Sequence, residues 1–254
     1  MKRIALKTSL AEIFPTTPTD KLGISVQQLL THTSGLAKGY AANGCRTRAS
    51  ALEAIFELRV VGPPGAAFEY TDDGYALLAA IIESVSSQTY STFVRKNVFE
   101  VAGMLQTRFW DEVDDRREAN VARIVTLSIE DRYRGLNWGY IGSGGIWSTA
   151  DDLARFFHAL RSGMIVNLPL VEQMMSPQVA VSIGACGFGW FIGKSALGTP
   201  LIFARGNEDW GHSSLIYWYP DHGALQTIVT NSGFANGVPL SRSLASKFEG
   251  VLNS

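Results

Sequence analysis

The sequence predicts an α+β fold, with helices through the first two thirds of the chain, an antiparallel meander of strands in the last third, and a helix to close. Two observations carry this. Helix start signals and apolar residues at helical spacing recur up to about residue 175, and four short runs rich in aromatic and β-branched residues follow between 187 and 231. The elements do not alternate as βαβ units, which argues against a parallel sheet.

Taken in order, short helices are expected near 25 to 31 and 89 to 99. Ser50 with Glu53 reads as a capping box opening SALEAIFELRV, whose Leu52, Ile55, Phe56 and Leu58 recur at helical spacing, and Gly62-Pro63-Pro64-Gly65 ends that helix. FEYTDDGYALLAAIIE (68 to 83) joins a buried-looking aromatic pair to a polar step and then to an apolar helix. Ser148 with Asp151 repeats the capping device before LARFFHALRSG, where Leu153, Phe156, Phe157 and Leu160 form one stripe and Gly163 supplies the terminal turn. Another short helix is expected near 168 to 175. The strands are read as GFGWFIG (187 to 193), PLIFAR (200 to 205), SSLIYWY (213 to 219) and ALQTIVTN (224 to 231), with PDHG turning between the last two and a final helix over about 241 to 252. The charged stretch WDEVDDRREAN (110 to 120) reads as a solvated loop. With no repeat, low-complexity tract or linker, residues 1 to 254 read as one domain: a helical lobe over about 20 to 165, then sheet strands and closing helix over about 185 to 254.

Composition narrows the function. With 254 residues, 46% hydrophobic and 18% charged, the chain can bury a full core. A formal net charge of -1 leaves no basis for neutralising phosphates, so a nucleic-acid partner is not expected. Cys45 and Cys186 fit no metal spacing and read as two unpaired thiols or one incidental pair. His32, His158, His212 and His222 are too scattered to hold a metal, and GSGG lacks the Lys-Ser/Thr of a phosphate loop, so no metal or cofactor is expected. His32 reads as bonding within its own turn. In MKRIALKTSLAEIF, Lys7, Ser9 and Glu12 interrupt any apolar run, so neither a membrane span nor a signal-peptide core is read there.

Tyr70-Thr71-Asp72 is the first candidate for chemistry. A tyrosine hydroxyl carries protons when nearby positive charge lowers its pKa, and a short polar side chain two residues on can hold a substrate amide or a catalytic lysine. A buried tyrosine that only bonds its neighbours fits the same triplet.

The stretches ISVQQLLTHTSGL (24 to 36), FEYTDDGYALLAAIIE, VAGMLQTRF (101 to 109), GSGGIWSTADDLARF (142 to 156) and GFGWFIG occur in one order. Together they resemble the serine β-lactamase and penicillin-binding-protein superfamily, in its class C-like branch of esterases, D-aminopeptidases and DD-peptidases. The resemblance runs from about Leu6 onward and implies a β-lactamase/DD-peptidase-like fold, acyl transfer through a serine, and a small ester, amide or peptide substrate. It makes Tyr70 and Asp72 the Tyr-x-Asn/Asp step. It also lays the Lys-Thr-Gly or His-x-Gly step on Arg205, Gly206 and Asn207, within FARGNEDWGHSS (203 to 214). Arg205 keeps the positive charge; Asn207 departs from the pattern, since a side chain stands where close backbone approach is the rule. A surface strand arginine is the alternative for Arg205. Tyr140, just before GSGG, is a candidate pocket wall, and Trp138, Trp147, Trp190 and Trp210 read as core or rim.

The third family signature is missing. No serine in the 254 residues has a lysine three positions on, so the nucleophile and its base in an S-x-x-K step are not found. The expectation drawn from this is a chain that starts after that step, with a sheet edge that another chain could cover in an oligomer. Ser34, Ser143, Ser213 and Ser214 lie in no G-x-S-x-G elbow that would replace the missing serine.

Overall fold

A computed structural model describes residues 4–113, 118–122, 137–207, 212–232 and 234–252 of the chain. They fall into two compact units, one within Met1–Asn97 and Arg132–Gly145, the other within Val98–Asp131 and Ile146–Ser254.

The first unit is helical: α1 (Leu10–Ile13), α2 (Val26–Leu30), α3 (Arg48–Glu57), α4 (Asp72–Ser86) and α5 (Tyr90–Val94). Side-chain caps set most of the starts. Ser25 and Gln28 form a capping box at α2, and the Thr89 hydroxyl accepts from the Thr92 amide at α5. Helix α3 starts earlier than expected: Thr47, not Ser50, is its N-cap, and Ser50 is the third helical residue of that box. It also stops at Glu57, well before the Gly-Pro cluster. Helix α4 crosses the middle of the unit, burying Ala76, Leu77, Ala80 and Ile81 against Ile24, Leu29, Leu36 and Ile55. The 3-10 turn Trp138–Tyr140 returns to this core, where Trp138 packs and its indole N–H donates to Glu83 at 3.2 Å.

The second unit holds α6 (Glu100–Ala102), a two-strand ribbon of β1 (Arg108–Phe109) and β2 (Ile146–Trp147), then α7 (Ala150–Arg161) and α8 (Leu168–Met174). An antiparallel sheet follows in the order β3 (Val179–Val181), β4 (Gly184–Cys186), β5 (Phe191–Lys194), β6 (Pro200–Asn207), β7 (Ser213–Tyr219), β8 (Ala224–Thr230), and α9 (Phe234–Leu252) ends the unit. Side chains alternate across the sheet as the pleat requires. Ile202, Ala204, Ile216 and Trp218 meet Phe157 and Leu160 of α7, Val171 of α8 and Met175 just after it, whereas Leu201, Phe203, Tyr217 and Tyr219 meet Phe248 and Leu252 of α9. The sheet is thus the middle layer of three.

Several expectations shift here. The N-cap of α7 is Thr149, which accepts from the Asp152 amide at 3.1 Å, while the Ser148 hydroxyl pairs with Thr107 at 2.8 Å. GFGWFIG is not one strand: Gly187 N–H donates to the Trp190 carbonyl at 2.7 Å and Gly189 is left-handed at φ 77°, so a turn separates β4 from β5. Helix α9 begins seven residues before the expected 241 and carries Pro239 inside it. Of WDEVDDRREAN, residues 110 to 112 form a 3-10 turn and Glu118 pairs with Arg108 at 2.7 Å, while residues 114 to 117 lie outside the described residues, as does Trp210.

Candidate active site

In the first unit the candidate site forms where α2 ends and α4 begins. Helix α2 closes in a Schellman arrangement: His32 N–H bonds the Leu29 carbonyl at 3.3 Å and Thr33 N–H bonds the Gln28 carbonyl at 2.8 Å. The left-handed position of that motif usually belongs to glycine, but here it is His32 at φ 54°, a choice that costs about 1 kcal/mol in backbone strain.

The His32 side chain is buried and stacks against two tyrosines. Its ring lies 4.9 Å from the Tyr75 ring at 25° and 4.3 Å from the Tyr70 ring at 32°, with Phe68 edge-on at 5.7 Å. The Thr71 amide donates to His32 Nδ1 at 3.4 Å, which requires that nitrogen to be unprotonated. Burial drives the imidazole pKa down to about 4, so the ring is neutral at pH 7. The imidazole therefore bonds a residue 39 positions away, not only its own turn.

Tyr70 is 46% exposed, which corrects the buried-looking reading of this pair. Asp72 and Asp73 begin α4, where negative charge suits the helix dipole, yet they do different things. Asp73 is fully buried and its carboxylate accepts from the amides of Ala41 at 2.9 Å and Ala42 at 3.0 Å. Asp72 has no such partners among the described residues, and burial, then the neighbouring Asp73 charge, raises its carboxyl above the usual range. Between Tyr70 and Asp72, the Thr71 hydroxyl is buried with no hydrogen-bond partner among the described residues.

Tyr140 belongs to the same unit. It is buried, 5.9 Å from the ring of Tyr40, whose hydroxyl bonds Ser143 at 2.8 Å. Ser143 is thereby engaged in holding the glycine-rich turn. Close approach explains those glycines: a Cβ at Gly139 would fall 1.6 Å from the Ala42 carbonyl oxygen, and one at Gly142 2.5 Å from that of Tyr75. Tyr75, which stacks on His32, thus also abuts the turn that follows Tyr140.

In the second unit Arg205, Gly206 and Asn207 end β6, all exposed. Strand β5 pairs with β6 only as far as Phe203, so these residues pair on one side alone among the described residues, with Leu215, Ser214 and Ser213 of β7. The Arg205 guanidinium lies 5.1 Å from the centre of the Phe203 ring. A Cβ at Gly206 would stand 3.0 Å from Ser214 Oγ, so this glycine keeps the strand pair close. His212 rests edge-on at 4.6 Å against Trp147, and Trp190 is buried in the sheet core.

Tyr70, Asp72 and Tyr140 thus fall in the first unit and Arg205, Gly206 and Asn207 in the second. Among the described residues no group of three His, Cys, Asp or Glu side chains is placed to hold a metal, and no helix is long and apolar enough to cross a membrane. Sequence reading passed over two residues that organise the site. Asp73 anchors a loop more than thirty positions away, and His32 reaches Thr71 beyond its own turn; the one signal for His32 in the sequence is a histidine where a helix-ending glycine would be expected.

The model of the Beta-lactamase family matches residues 1–245. Penicillin-binding protein 4* of Bacillus subtilis (strain 168) is 27% identical over 234 residues, which cover 82% of this chain and 51% of that protein. Another relative from the same organism is covered to 42%, so the chain spans about half the length of these curated relatives. Among solved structures, D-amino acid amidase from Ochrobactrum anthropi SV3 has a TM-score of 0.78 at 21% identity, over 98% of this chain and 78% of that one. The octameric penicillin-binding protein homologue from Pyrococcus abyssi has a TM-score of 0.77 at 23% identity, over 90% and 56%. These likenesses agree with the sheet and helices described above, and the family match extends over nearly the whole sequence: the chain belongs to the Beta-lactamase family.

Proposed function

We propose that this chain carries the acyl-transfer machinery of a serine hydrolase that cleaves a small ester, amide or peptide substrate, with Tyr70 as proton carrier. The observation that carries the reading is the setting of Tyr70 in a Beta-lactamase family chain: a solvent-accessible phenol directly before a helix start, backed by a buried neutral ring. In such a reaction a serine attacks the substrate carbonyl, an acyl-enzyme forms as the alcohol or amine departs, and water releases the acid. Tyr70 would take the serine proton and return it to the leaving group.

His32, being neutral, adds no positive charge to lower the Tyr70 pKa. That charge would fall to the lysine of an S-x-x-K step, which these 254 residues do not contain. Asp72 occupies the position of the family's Asn or Asp, and its burial, then the Asp73 charge, raises its carboxyl above the usual range. By the family resemblance Arg205 would bind a substrate carboxylate or stabilise developing negative charge, with backbone N–H support near Gly206.

A second reading has its own observation, the absence of any serine with a lysine three residues on within these 254 residues. On that reading the chain is an inactive lobe that binds a peptide, an acyl compound or a partner protein without catalysis. The two separate on incubating the purified chain with a chromogenic β-lactam and a short-chain nitrophenyl ester, followed by mass spectrometry. Turnover or a covalent acyl adduct supports the hydrolase; neither leaves the binding lobe.

A further inference from the structure

The left-handed end of α2 is where a side chain is least expected, and it is occupied by a ring that lies against both Tyr70, just before α4, and Tyr75, in its first turn. Ser87, the other non-glycine residue with positive φ among those described, has a plain explanation as the cap that ends α4. His32 has the same kind of backbone role, but glycine or asparagine would fill it with no ring at all. What the histidine adds is its ring, and that ring is fixed from several sides. Tyr75 covers one face, and Tyr75 is itself held by its hydroxyl donating to the Leu30 carbonyl at 3.0 Å. Phe68 meets the edge, the Thr71 amide reaches Nδ1, and the Glu69 amide donates to the His32 carbonyl at 2.8 Å. Residues 68 to 71 are therefore tied to His32 through ring, imidazole nitrogen and backbone together.

We propose that His32 is the positioning residue for Tyr70: its clamped ring sets where the Tyr70 ring lies relative to the first turn of α4. This rests on the reading of Tyr70 as proton carrier, and adds to it a residue that touches neither substrate nor reacting atoms. A proton carrier loses rate when its hydroxyl drifts, because the transfer needs a hydrogen-bond distance held within a fraction of an ångström. A tyrosine almost half exposed gets little of that constraint from burial; the stacked imidazole supplies it. The ring is what matters, so phenylalanine at position 32 should do much of the work and asparagine, which tolerates the left-handed backbone, should not.

The test uses the 254-residue chain with His32→Asn, His32→Phe and Tyr70→Phe, each checked for folding by circular dichroism. Two readouts are taken: the NMR ring signals of tyrosine-labelled protein, with Tyr70 assigned from Tyr70→Phe, and hydrolysis of p-nitrophenyl butyrate by the same variants joined to a segment that supplies an S-x-x-K step. In His32→Asn the Tyr70 ring signals should move downfield as the stack is lost, kcat should fall roughly tenfold or more, and KM should stay within about twofold. His32→Phe should restore an upfield Tyr70 signal and most of kcat. Unchanged Tyr70 ring signals in a folded His32→Asn protein overturn the proposal whatever the kinetics show. A kcat loss that tracks only the fraction folded, with no rescue by phenylalanine, overturns it as well. If instead the joined Tyr70→Phe protein hydrolyses the ester as fast as its joined parent, the proton-carrier reading fails, and the ring signals still decide whether His32 holds Tyr70.

Discussion

Around Tyr70 the neighbouring groups are held by burial: His32 stacks on Tyr75 and lies tilted against Tyr70, and Asp73 is sealed against two backbone amides. Around Arg205 the candidate groups stand on an exposed strand end, where register with β7 and the contact of Arg205 with the Phe203 ring hold them. The difference teaches where substitutions should be felt. At the start of α4 the candidate groups Tyr70 and Asp72 sit directly beside His32 and Asp73, which hold the fold; at the end of β6 the candidates Arg205, Gly206 and Asn207 are all exposed, and a side chain can be changed for its chemistry alone.

The largest expected effect is on Asp73. Asp73→Ala strips two buried amides of a charged acceptor and should cost about 4 kcal/mol in denaturant unfolding, whereas Asp72→Ala should cost under about 1 kcal/mol. Equal costs would show that the two carboxylates are not divided as described. Next comes acid. Between pH 6.5 and about 4 the unfolded chain binds a proton at His32 that the folded chain excludes, so stability falls as pH falls through that window, by about 3 kcal/mol at about 1.4 kcal/mol per pH unit. Asp72 acts in the opposite sense: its carboxyl is raised, so its folded form holds a proton longer and its contribution is lost as pH rises above the ordinary carboxylate range. Stability measured from pH 7 to 4 should show the His32 slope, and His32→Asn should flatten it; an identical slope in both would contradict the buried neutral imidazole. The smallest effect belongs to the other region. Arg205→Ala should change unfolding stability by about 0.5 kcal/mol or less while weakening a carboxylate-bearing acyl ligand roughly tenfold by calorimetry. A large stability loss there would erase the contrast.

What the sequence made legible follows the same division. Strand β7 coincides with SSLIYWY because β-branched and aromatic residues on a two-faced sheet leave little choice of structure. Tyr70, Asp72 and Arg205 stood out because they fall in stretches that resemble a known family. Asp73 and His32 did not, since their roles depend on partners 31 to 39 residues away, which no local pattern encodes. Capping was visible in kind but misread by a few residues: Thr47 and Thr149 outcompete Ser50 and Ser148, as each pairs with an amide three residues on while Ser148 is drawn off to Thr107. The ribbon of β1 and β2 escaped notice because two-residue strands have no period to read.

The central claim is that the Tyr70 hydroxyl moves the proton in acyl transfer. Hydrolysis of p-nitrophenyl butyrate by the chain joined to a segment that supplies an S-x-x-K step, with Tyr70 and with Tyr70→Phe, tests it most directly: a loss in kcat/KM of roughly a hundredfold with unfolding stability unchanged is predicted. Equal rates in the two proteins would contradict it, and no hydrolysis by the joined chain with Tyr70 would leave the binding lobe in its place.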